Sequence, residues 1–301
     1  MNDLVFGDIG LEIIKLFQTF SPLLDLFFLL ITITGSTYFY IVILALIYWL
    51  HSKNKAIHIA AMLIISAYMN EMIKNLFGWP RPYISHPDEV QAISTDIGYS
   101  FPSAHSQSTA IFWSSLLYYF KPAAYKLLIL LSIAFFILVP ISRVYLGVHY
   151  PSDVIVGLLL GFLIFYLYIK YSPAVTERFK NKTVSSIILI VLITSIIMTV
   201  FRIAVIILTG NDLNISNTGT MAAIFLGAIL GYLIEDKYIN FNNVPPQRLF
   251  YVTRTIIGII LIGIGYILPR FIFSSEQLEF EILKHISQYF LILWNYFDRV
   301  W

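Results

Sequence analysis

The chain has 301 residues, of which 58% are hydrophobic and only 12% are charged, and its formal net charge is +2. A soluble domain carries about twice that share of charged residues, so the composition indicates an integral membrane protein. The small net charge and the scattered basic residues argue against a nucleic acid partner. Because the chain has no cysteine, it cannot form disulfides or thiolate metal sites.

The apolar runs predict eight membrane-spanning segments. Crossing a hydrocarbon core of about 30 Å takes about 20 helical residues. The runs that approach this length are 37–50, 56–73, 104–120, 125–141, 153–170, 183–208, 218–235 and 250–273. Two further apolar segments, 11–34 and 280–297, are ambiguous, so we expect seven to nine spans. Because unpaired backbone is costly in lipid, the expected fold class is all-α, a polytopic transmembrane helical bundle.

The charges of the connecting loops predict the orientation of these helices. Basic residues dominate one alternating set of connections, at Lys53, Lys55, Lys121, Lys126, Lys170, Arg178, Lys180, Lys182, Lys237 and Arg248. Acidic residues mark the other set, at Asp88, Glu89, Asp96, Asp212, Glu276 and Glu279. Basic connections stay in the cytoplasm. We therefore expect the second set of connections to face outside the cytoplasm.

The first of three polar motifs places two cations beyond the run 56–73. Lys74 follows that run directly, and Arg81 lies seven residues later in a turn that Pro80 and Pro82 keep from being a regular helix. The two cations can then approach one anion from different sides. Alternatively, the lysine extends to the membrane interface and the arginine only caps a loop.

The second motif, Pro102-Ser103-Ala104-His105, opens the predicted span 104–120. Proline and serine are typical of a helix start, where free N–H groups bind anions. Ser103 adds a hydroxyl donor, and His105 places a titratable group beside the same anion. A helix cap with an interfacial histidine is the alternative.

The third motif joins the end of one span to the start of the next and contains Arg143, His149 and Asp153. Pro151 starts a helix where Asp153 can accept a hydrogen bond from one nitrogen of His149, which leaves the other nitrogen free and nucleophilic. Arg143 can bind a phosphate through its bidentate fork. In the alternative interpretation, His149 is an interfacial histidine and Asp153 is a helix cap.

Together the motifs predict a phosphate site on one face of the membrane. The two histidines and the aspartate could instead be zinc ligands. The three cations Lys74, Arg81 and Arg143 would repel a divalent metal and suit an anion, so we expect neither a metal nor another cofactor.

These residues resemble the signature of the type 2 phosphatidic acid phosphatase (PAP2) superfamily, which includes membrane lipid phosphatases and soluble vanadium haloperoxidases. The matching string is Lys74-x6-Arg81-Pro82, Pro102-Ser103-Ala104-His105 and Ser142-Arg143-x5-His149-x3-Asp153. The family usually has glycine where this chain has Ala104. The resemblance implies a PAP2- or haloperoxidase-like helical core.

The resemblance also implies a role for each site residue. His149 would attack phosphorus, Asp153 would orient His149, and His105 would protonate the leaving oxygen. The phosphate-binding positions would be Lys74, Arg81, Ser103, Ala104 and Arg143.

The implied activity is that of a metal-independent phosphatase in the cell membrane. It would hydrolyse a lipid phosphate or polyprenyl diphosphate from the bilayer through a phosphohistidine, at a site facing outside the cytoplasm. Two alternatives stay open. One is a lipid phosphotransferase, in which an acceptor hydroxyl replaces water, and the other is a non-catalytic lipid transporter or binding protein.

The chain divides into three predicted parts. Residues 1–50 hold an N-terminal helix and the first span or spans, 51–172 form the catalytic core, and 183–301 form accessory transmembrane helices. Arg202 is costly in lipid, and it either extends toward the outer interface or marks a second polar site. The accessory helices fit three roles equally well: a homodimer surface, a shield around the catalytic helices, or a lipid-recognition element.

We predict that a cysteine introduced at Ser94 reacts with a membrane-impermeant maleimide in whole cells, because its connection lies on the expected outer face. It would be the sole cysteine of the chain. A cysteine at Asn54, in the basic connection beside Lys53 and Lys55, should react only with a membrane-permeant reagent. Labelling of the Ser94 variant by permeant reagents alone would reverse the predicted orientation.

Overall fold

The structure is a computed structural model that describes residues 7–179, 182–210, 227, 229–239, 252–253, 255–260 and 263–264. These residues form helices and no strand, which confirms the all-α prediction for the described part of the chain. The α-helices are α1 Gly7–Gln18, α2 Asp25–Ile33, α3 Thr37–Leu50, α4 Lys53–Phe77, α5 Pro82–Ser85, α6 Ala104–Tyr119, α7 Tyr125–Tyr145, α8 Pro151–Phe179 and α9 Val184–Thr209. A short π-helix follows at Glu235–Ile239.

Four helical segments among the described residues are long and apolar enough to cross a membrane: Lys53–Ser85, Tyr125–Tyr145, Pro151–Phe179 and Ser185–Thr209. The pair α2 and α3, bent by 48°, makes a fifth if it is counted as one span. At 16 residues, α6 is shorter than these segments. The predicted spans 218–235 and 250–273 lie in large part outside the described residues, and the ambiguous segment 280–297 lies wholly outside them. The predicted number of seven to nine is therefore not confirmed.

The segment 11–34 contains two helices instead of one continuous helix. α1 ends at Gln18 and α2 begins at Asp25, and Pro22 lies between them, where the missing N–H of proline opposes helix continuation. α2 ends at Ile33, and its C-cap Thr34 precedes Gly35. A Cβ atom at Gly35 would lie 2.7 Å from Val139 Cγ1 and 3.2 Å from His105 Cδ2. Glycine therefore allows this bend to approach the start of α6.

The chain divides into two compact units. One comprises the described parts of Met1–Ile41, Ile59–Ser172 and Thr209–Asn211, and the other the described parts of Val42–His58, Pro173–Leu208 and Asp212–Trp301. We call the first the motif unit, because it contains all three polar motifs. In the second unit, Lys53 forms a buried ion pair with Glu235. Arg202 belongs to α9, and its side chain lies outside the part that the structure describes.

Two glycines let α8 lie directly against the backbone of α6. A Cβ atom at Gly157 would lie 2.6 Å from the carbonyl oxygen of Ser103, and one at Gly161 would lie 2.6 Å from Ala110 Cβ and closer still to the carbonyl oxygen of Gln107. The beginning of α8 is thereby held beside the beginning of α6. These are the helix ends that carry the second and third motifs.

Buried polar side chains fasten α4 to the same end of α6. Asn70 Nδ2 donates to Gln107 Oε1 at 2.8 Å and to the carbonyl oxygen of Pro102 at 3.2 Å. Gln107 Nε2 donates in turn to Ser66 Oγ at 2.9 Å. These buried polar groups form hydrogen bonds with each other where water cannot replace them. The three side chains therefore fix α4 and α6 in one arrangement. Asn70 lies one helical turn before Lys74, so it also places the first motif.

We predict that Gly161→Ala destabilises the motif unit, because its methyl group has no room beside α6. Overpacking of this kind costs about 1–3 kcal/mol, and it should appear as a lower thermal unfolding midpoint in detergent. Gly263→Ala is the matched control, since a Cβ atom there meets no atom of the described residues within 4 Å. Equal midpoints for the two variants would contradict the close approach of α6 and α8.

Candidate active site

The three motifs meet at helix ends of the motif unit. Lys74 lies in the last turn of α4, and Arg81 precedes α5. Ser103, Ala104 and His105 begin α6, Arg143 ends α7, and His149 and Asp153 flank the start of α8. The structure therefore brings together all eight residues predicted from the sequence. Their roles in a reaction stay predictions.

His149 and Asp153 form the pair that their spacing predicts. His149 Nδ1 lies 3.3 Å from Asp153 Oδ2, and both side chains are buried. On the other side of the ring, Nε2 lies 3.3 Å from the NH1 nitrogen of Arg81. A guanidinium can only donate, so Nε2 is the acceptor and the imidazole proton lies on Nδ1, facing the carboxylate. This tautomer presents a lone pair at Nε2.

Asp153 also serves as the cap that the alternative interpretation requires. Its Oδ2 accepts a hydrogen bond from the backbone N–H of Tyr150 at 2.9 Å, just before α8 begins. The two interpretations are compatible, because one carboxylate oxygen has room for several donors. Asp153 Oδ1 is buried and has no hydrogen-bond partner among the described residues.

Arg81 is held firmly in place by backbone carbonyls. Its Nε donates to Gly98 at 3.0 Å, its NH2 to Ile97 at 3.1 Å, and its NH1 to Val148 at 3.0 Å. The first two carbonyls belong to residues 86–103, which we call the α5–α6 loop. This buried guanidinium therefore does more than cap a loop, since it joins the loop to the backbone beside His149.

Arg143 is buried at the end of α7 and bridges two other parts of the unit. Its NH1 donates to Thr32 Oγ1 of α2 at 2.7 Å, and its NH2 forms an ion pair with Asp96 of the α5–α6 loop. Its Nε has no hydrogen-bond partner among the described residues. A donor is thus still available for an anion.

Lys74 is buried, so it does not extend to the membrane interface. Its Nζ donates to the backbone carbonyl of Tyr99 and lies 3.5 Å from that of Ser100. The ammonium group thus lies against the α5–α6 loop at Tyr99 and Ser100, directly before the second motif begins at Pro102. Carbonyl dipoles replace part of the water that the charge loses on burial.

The start of α6 has donors that are not used within the helix. Ser103 is the N-cap, and its Oγ accepts from the Ser106 backbone N–H at 3.4 Å and from Ser106 Oγ at 3.2 Å. Because the Ser103 hydroxyl acts as acceptor in both contacts, its own hydrogen can be donated elsewhere. Ala104 is the first residue of α6, and alanine adopts helical backbone without strain. The usual glycine is therefore not needed at this position.

His105 faces the same groups. It lies close enough to Arg143, Asp96 and Arg81 for their charges to act on its ring, and the bend at Gly35 packs against its other side. Both histidines of the motifs thus lie near the same charged side chains.

Ser100 is a site residue that the sequence analysis missed. It is fully buried, and its Oγ donates to Asp153 Oδ2 and lies 3.4 Å from His149 Nδ1. The contact fixes the carboxylate that faces the imidazole. A single serine before Phe101 has no distinguishing pattern in the sequence, so only its position beside the second motif could have drawn attention to it.

Asp96 is the second residue that was missed, since the sequence analysis counted it only as a loop charge. Its Oδ2 pairs with Arg143 and lies 3.5 Å from Arg81 NH1. Burial alone would raise the pKa of Asp96, but the two guanidinium groups outweigh burial and lower it below its ordinary value. The carboxylate is therefore charged at neutral pH.

The surroundings of His149 favour its neutral form. Burial lowers the pKa of His149 well below its ordinary value, and the nearby charges of Arg81, Lys74 and Arg143 lower it further. A neutral imidazole with the proton on Nδ1 is the form in which Nε2 can act as a nucleophile.

We predict that His149 makes the protein less stable in acid. Its pKa is lower in the folded chain than in the unfolded chain, so unfolding takes up a proton below about pH 6.5. The unfolding free energy of the native chain should then fall by up to about 1.4 kcal/mol per pH unit relative to the His149→Gln chain. Unfolding of both chains in detergent from pH 7.5 to 5 measures this difference. A difference independent of pH would contradict the lowered pKa.

The chain matches two models of one family. Residues 55–177 match the model of the PAP2 superfamily, and residues 219–297 match that of the PAP2 superfamily phosphatase transmembrane extension. The first match contains all three motifs. The second, together with the membrane-length helices, shows an integral membrane protein.

Several curated proteins are similar to parts of the chain. Phosphatidylglycerophosphatase B of Bacillus subtilis is 37% identical over 90 residues, which cover 28% of this chain and 44% of that protein. The bacitracin transport permease protein BcrC of Bacillus licheniformis is 33% identical over 123 residues, covering 39% and 57%. Sphingosine-1-phosphate phosphatase 2 of Mus musculus is 28% identical over 130 residues, covering 42% and 36%. The chain spans about half of the length of such relatives.

Among solved structures, Aquifex aeolicus LpxE is 28% identical and aligns with a TM-score of 0.47 over 54% of this chain and 94% of that chain. The motif string and the two model matches agree with each other, and together the matches extend over most of the chain. The chain contains a PAP2 superfamily domain at residues 55–177.

Proposed function

We propose that this protein is a metal-independent phosphatase that hydrolyses a phosphate monoester or diphosphate of a membrane lipid through a phosphohistidine. The observation that carries the proposal is the His149 ring, whose Nδ1–H faces Asp153 while Nε2 faces Arg81. The names of two matched relatives, a phosphatidylglycerophosphatase and a sphingosine-1-phosphate phosphatase, support a lipid phosphate as substrate.

In the first chemical step, His149 Nε2 attacks phosphorus while the bond from phosphorus to the leaving oxygen breaks. The imidazole becomes positively charged, and the carboxylate of Asp153 stabilises that charge through Nδ1–H. Ser100 holds the same carboxylate oxygen. The nucleophile is therefore oriented by two buried groups that do not touch the substrate.

The cations and the start of α6 stabilise the phosphoryl group during this step. Arg81 and Arg143 supply guanidinium donors, and Lys74 adds a third positive charge. The free Ser103 hydroxyl hydrogen and the Ala104 amide donate from the start of α6, where the helix dipole also favours an anion. Because these groups are buried, their attraction for the transition-state charge is stronger than it would be in water.

His105 completes the proton transfers. It gives a proton to the leaving oxygen in the first step and, now neutral, takes one from the water that attacks the phosphohistidine in the second. The bond between phosphorus and Nε2 then breaks, and orthophosphate is released. If an acceptor hydroxyl replaced that water, the same intermediate would give a phosphotransferase.

The site faces outside the cytoplasm in this proposal, as the loop charges predict, and the Ser94 labelling tests that part separately. Because the site lies at helix ends, a lipid can present its head group while its tail remains in the bilayer. Lipid phosphates and polyprenyl diphosphates are the proposed substrate class.

A lipid transporter without catalysis is the second candidate, and the name of one matched relative, a transport permease, favours it. The His149–Asp153 pair argues against it. A buried imidazole aligned by a carboxylate is suited to nucleophilic attack and has no evident use in moving a lipid.

We predict that His149→Ala lowers phosphate release by about a thousandfold or more, since no other group replaces the attacking nitrogen. Purified protein in detergent would be tested with phosphatidate, phosphatidylglycerophosphate, polyprenyl mono- and diphosphate and a soluble sugar phosphate. His51→Ala, an exposed histidine outside the motif unit, should keep full activity.

Labelled lipid phosphate, offered with an acceptor lipid, would separate hydrolysis from transfer in the same assay. Ordinary phosphate release by the His149→Ala chain would overturn the proposed nucleophile. Absence of turnover with every substrate in the native chain would favour the transporter.

A further inference from the structure

The two arginines proposed to bind phosphate share one internal carboxylate. Asp96 Oδ2 forms an ion pair with the NH2 of Arg143 and lies 3.5 Å from the NH1 of Arg81. The charges of His105 and Lys74 also act on this carboxylate. Asp96 thus lies among four of the groups that the proposed mechanism assigns to the substrate phosphate.

A carboxylate and a phosphate are alternative ligands for such a pocket. Both present oxygens at a spacing that the guanidinium fork accepts, and both form charge-assisted hydrogen bonds with it. They cannot occupy the same donors at once. A phosphate can reach the free Nε of Arg143 directly, but it can bind the NH2 of Arg143 only when the Asp96 carboxylate leaves that donor.

The arginines are buried and held in place, whereas the Asp96 side chain is partly exposed. The Arg81 and Arg143 side chains are 3% and 2% exposed, and the Asp96 side chain is 28% exposed. Three backbone carbonyls hold Arg81, and Thr32 holds Arg143. Asp96 is therefore the member of this cluster that can move at the lowest cost.

The carboxylate can withdraw without unfolding the α5–α6 loop. The backbone directly after the side chain is held, since Tyr83 donates to the carbonyl of Asp96 at 3.0 Å and Arg81 donates to the carbonyl of Ile97. The next side chain, Ile97, is 84% exposed, so the loop surface at this point is open. A rotation about the side-chain bonds of Asp96 is sufficient to carry its carboxylate outward.

We propose that Asp96 is an internal competitor for phosphate, which pairs with Arg81 and Arg143 between turnovers, moves out when the substrate phosphate enters, and returns as orthophosphate leaves. The inference rests on the proposed function and assigns a specificity-determining residue to the same site. A phosphate monoester carries up to two negative charges and the carboxylate one, so the dianion gains more from the cations and displaces it. A phosphodiester head group carries a single charge and lacks this advantage.

The competition can be measured without turnover, by calorimetric titration of the purified full chain in detergent with inorganic phosphate. Asp96→Asn keeps the shape of the side chain and removes its charge, and it should lower the Kd for phosphate by about tenfold, because one competing charge-assisted contact is lost. Asp96→Ala should tighten binding as well. Asp88→Asn removes the same charge from an exposed position of the same loop, and it should leave the Kd unchanged.

Weaker or unchanged phosphate binding in both Asp96 variants would overturn the inference, since Asp96 would then serve to orient the arginines. If the native chain hydrolyses lipid phosphates and the variants bind phosphate no more tightly, only this inference fails. If the variants bind more tightly and no lipid is hydrolysed, the competition stands and the proposed function fails.

Discussion

The burial of three cations at helix ends is the constraint on which the rest of the site depends. Lys74, Arg81 and Arg143 are each removed from water, and an uncompensated buried charge costs several kcal/mol. The compensation comes mainly from the α5–α6 loop, through the carbonyls of residues 97–100 and the carboxylate of Asp96. The conformation of this loop is therefore tied to the charges beneath it, although the loop contains no regular secondary structure along most of its length.

The helices supply the rigidity that such a pocket needs. Glycine contacts place α8 against α6, and the Asn70–Gln107–Ser66 network joins α4 to them. The site is thus built on three helix ends whose relative positions are set by close backbone packing and satisfied buried amides. Preorganised donors of this kind need no rearrangement when charge develops on a bound group.

Much of this arrangement could be predicted from the sequence, because its signals are local. The four-residue spacing of His149 and Asp153 places both at one helix start, and the Pro102-Ser103 pair predicts the N-cap that the structure shows. Asp96 and Ser100 could not be found in this way. They reach the site through the fold of a loop, which has no periodicity to indicate where a side chain points. The break between α1 and α2 was missed because residues 11–34 were treated as one segment, although Gln18, Ser21 and Pro22 interrupt its apolar residues.

The contact between Arg81 and His149 has a consequence for the timing of the proposed reaction. The lone pair of Nε2 is occupied by the guanidinium, so the nucleophile is covered as long as no anion competes for Arg81. A phosphate oxygen that accepts the NH1 hydrogen of Arg81 in place of Nε2 frees the lone pair when phosphorus comes within reach, while the backbone carbonyls keep the guanidinium in its position. Phosphate binding and exposure of the His149 nucleophile then occur together. Without a phosphate, the covered Nε2 does not react with other electrophiles.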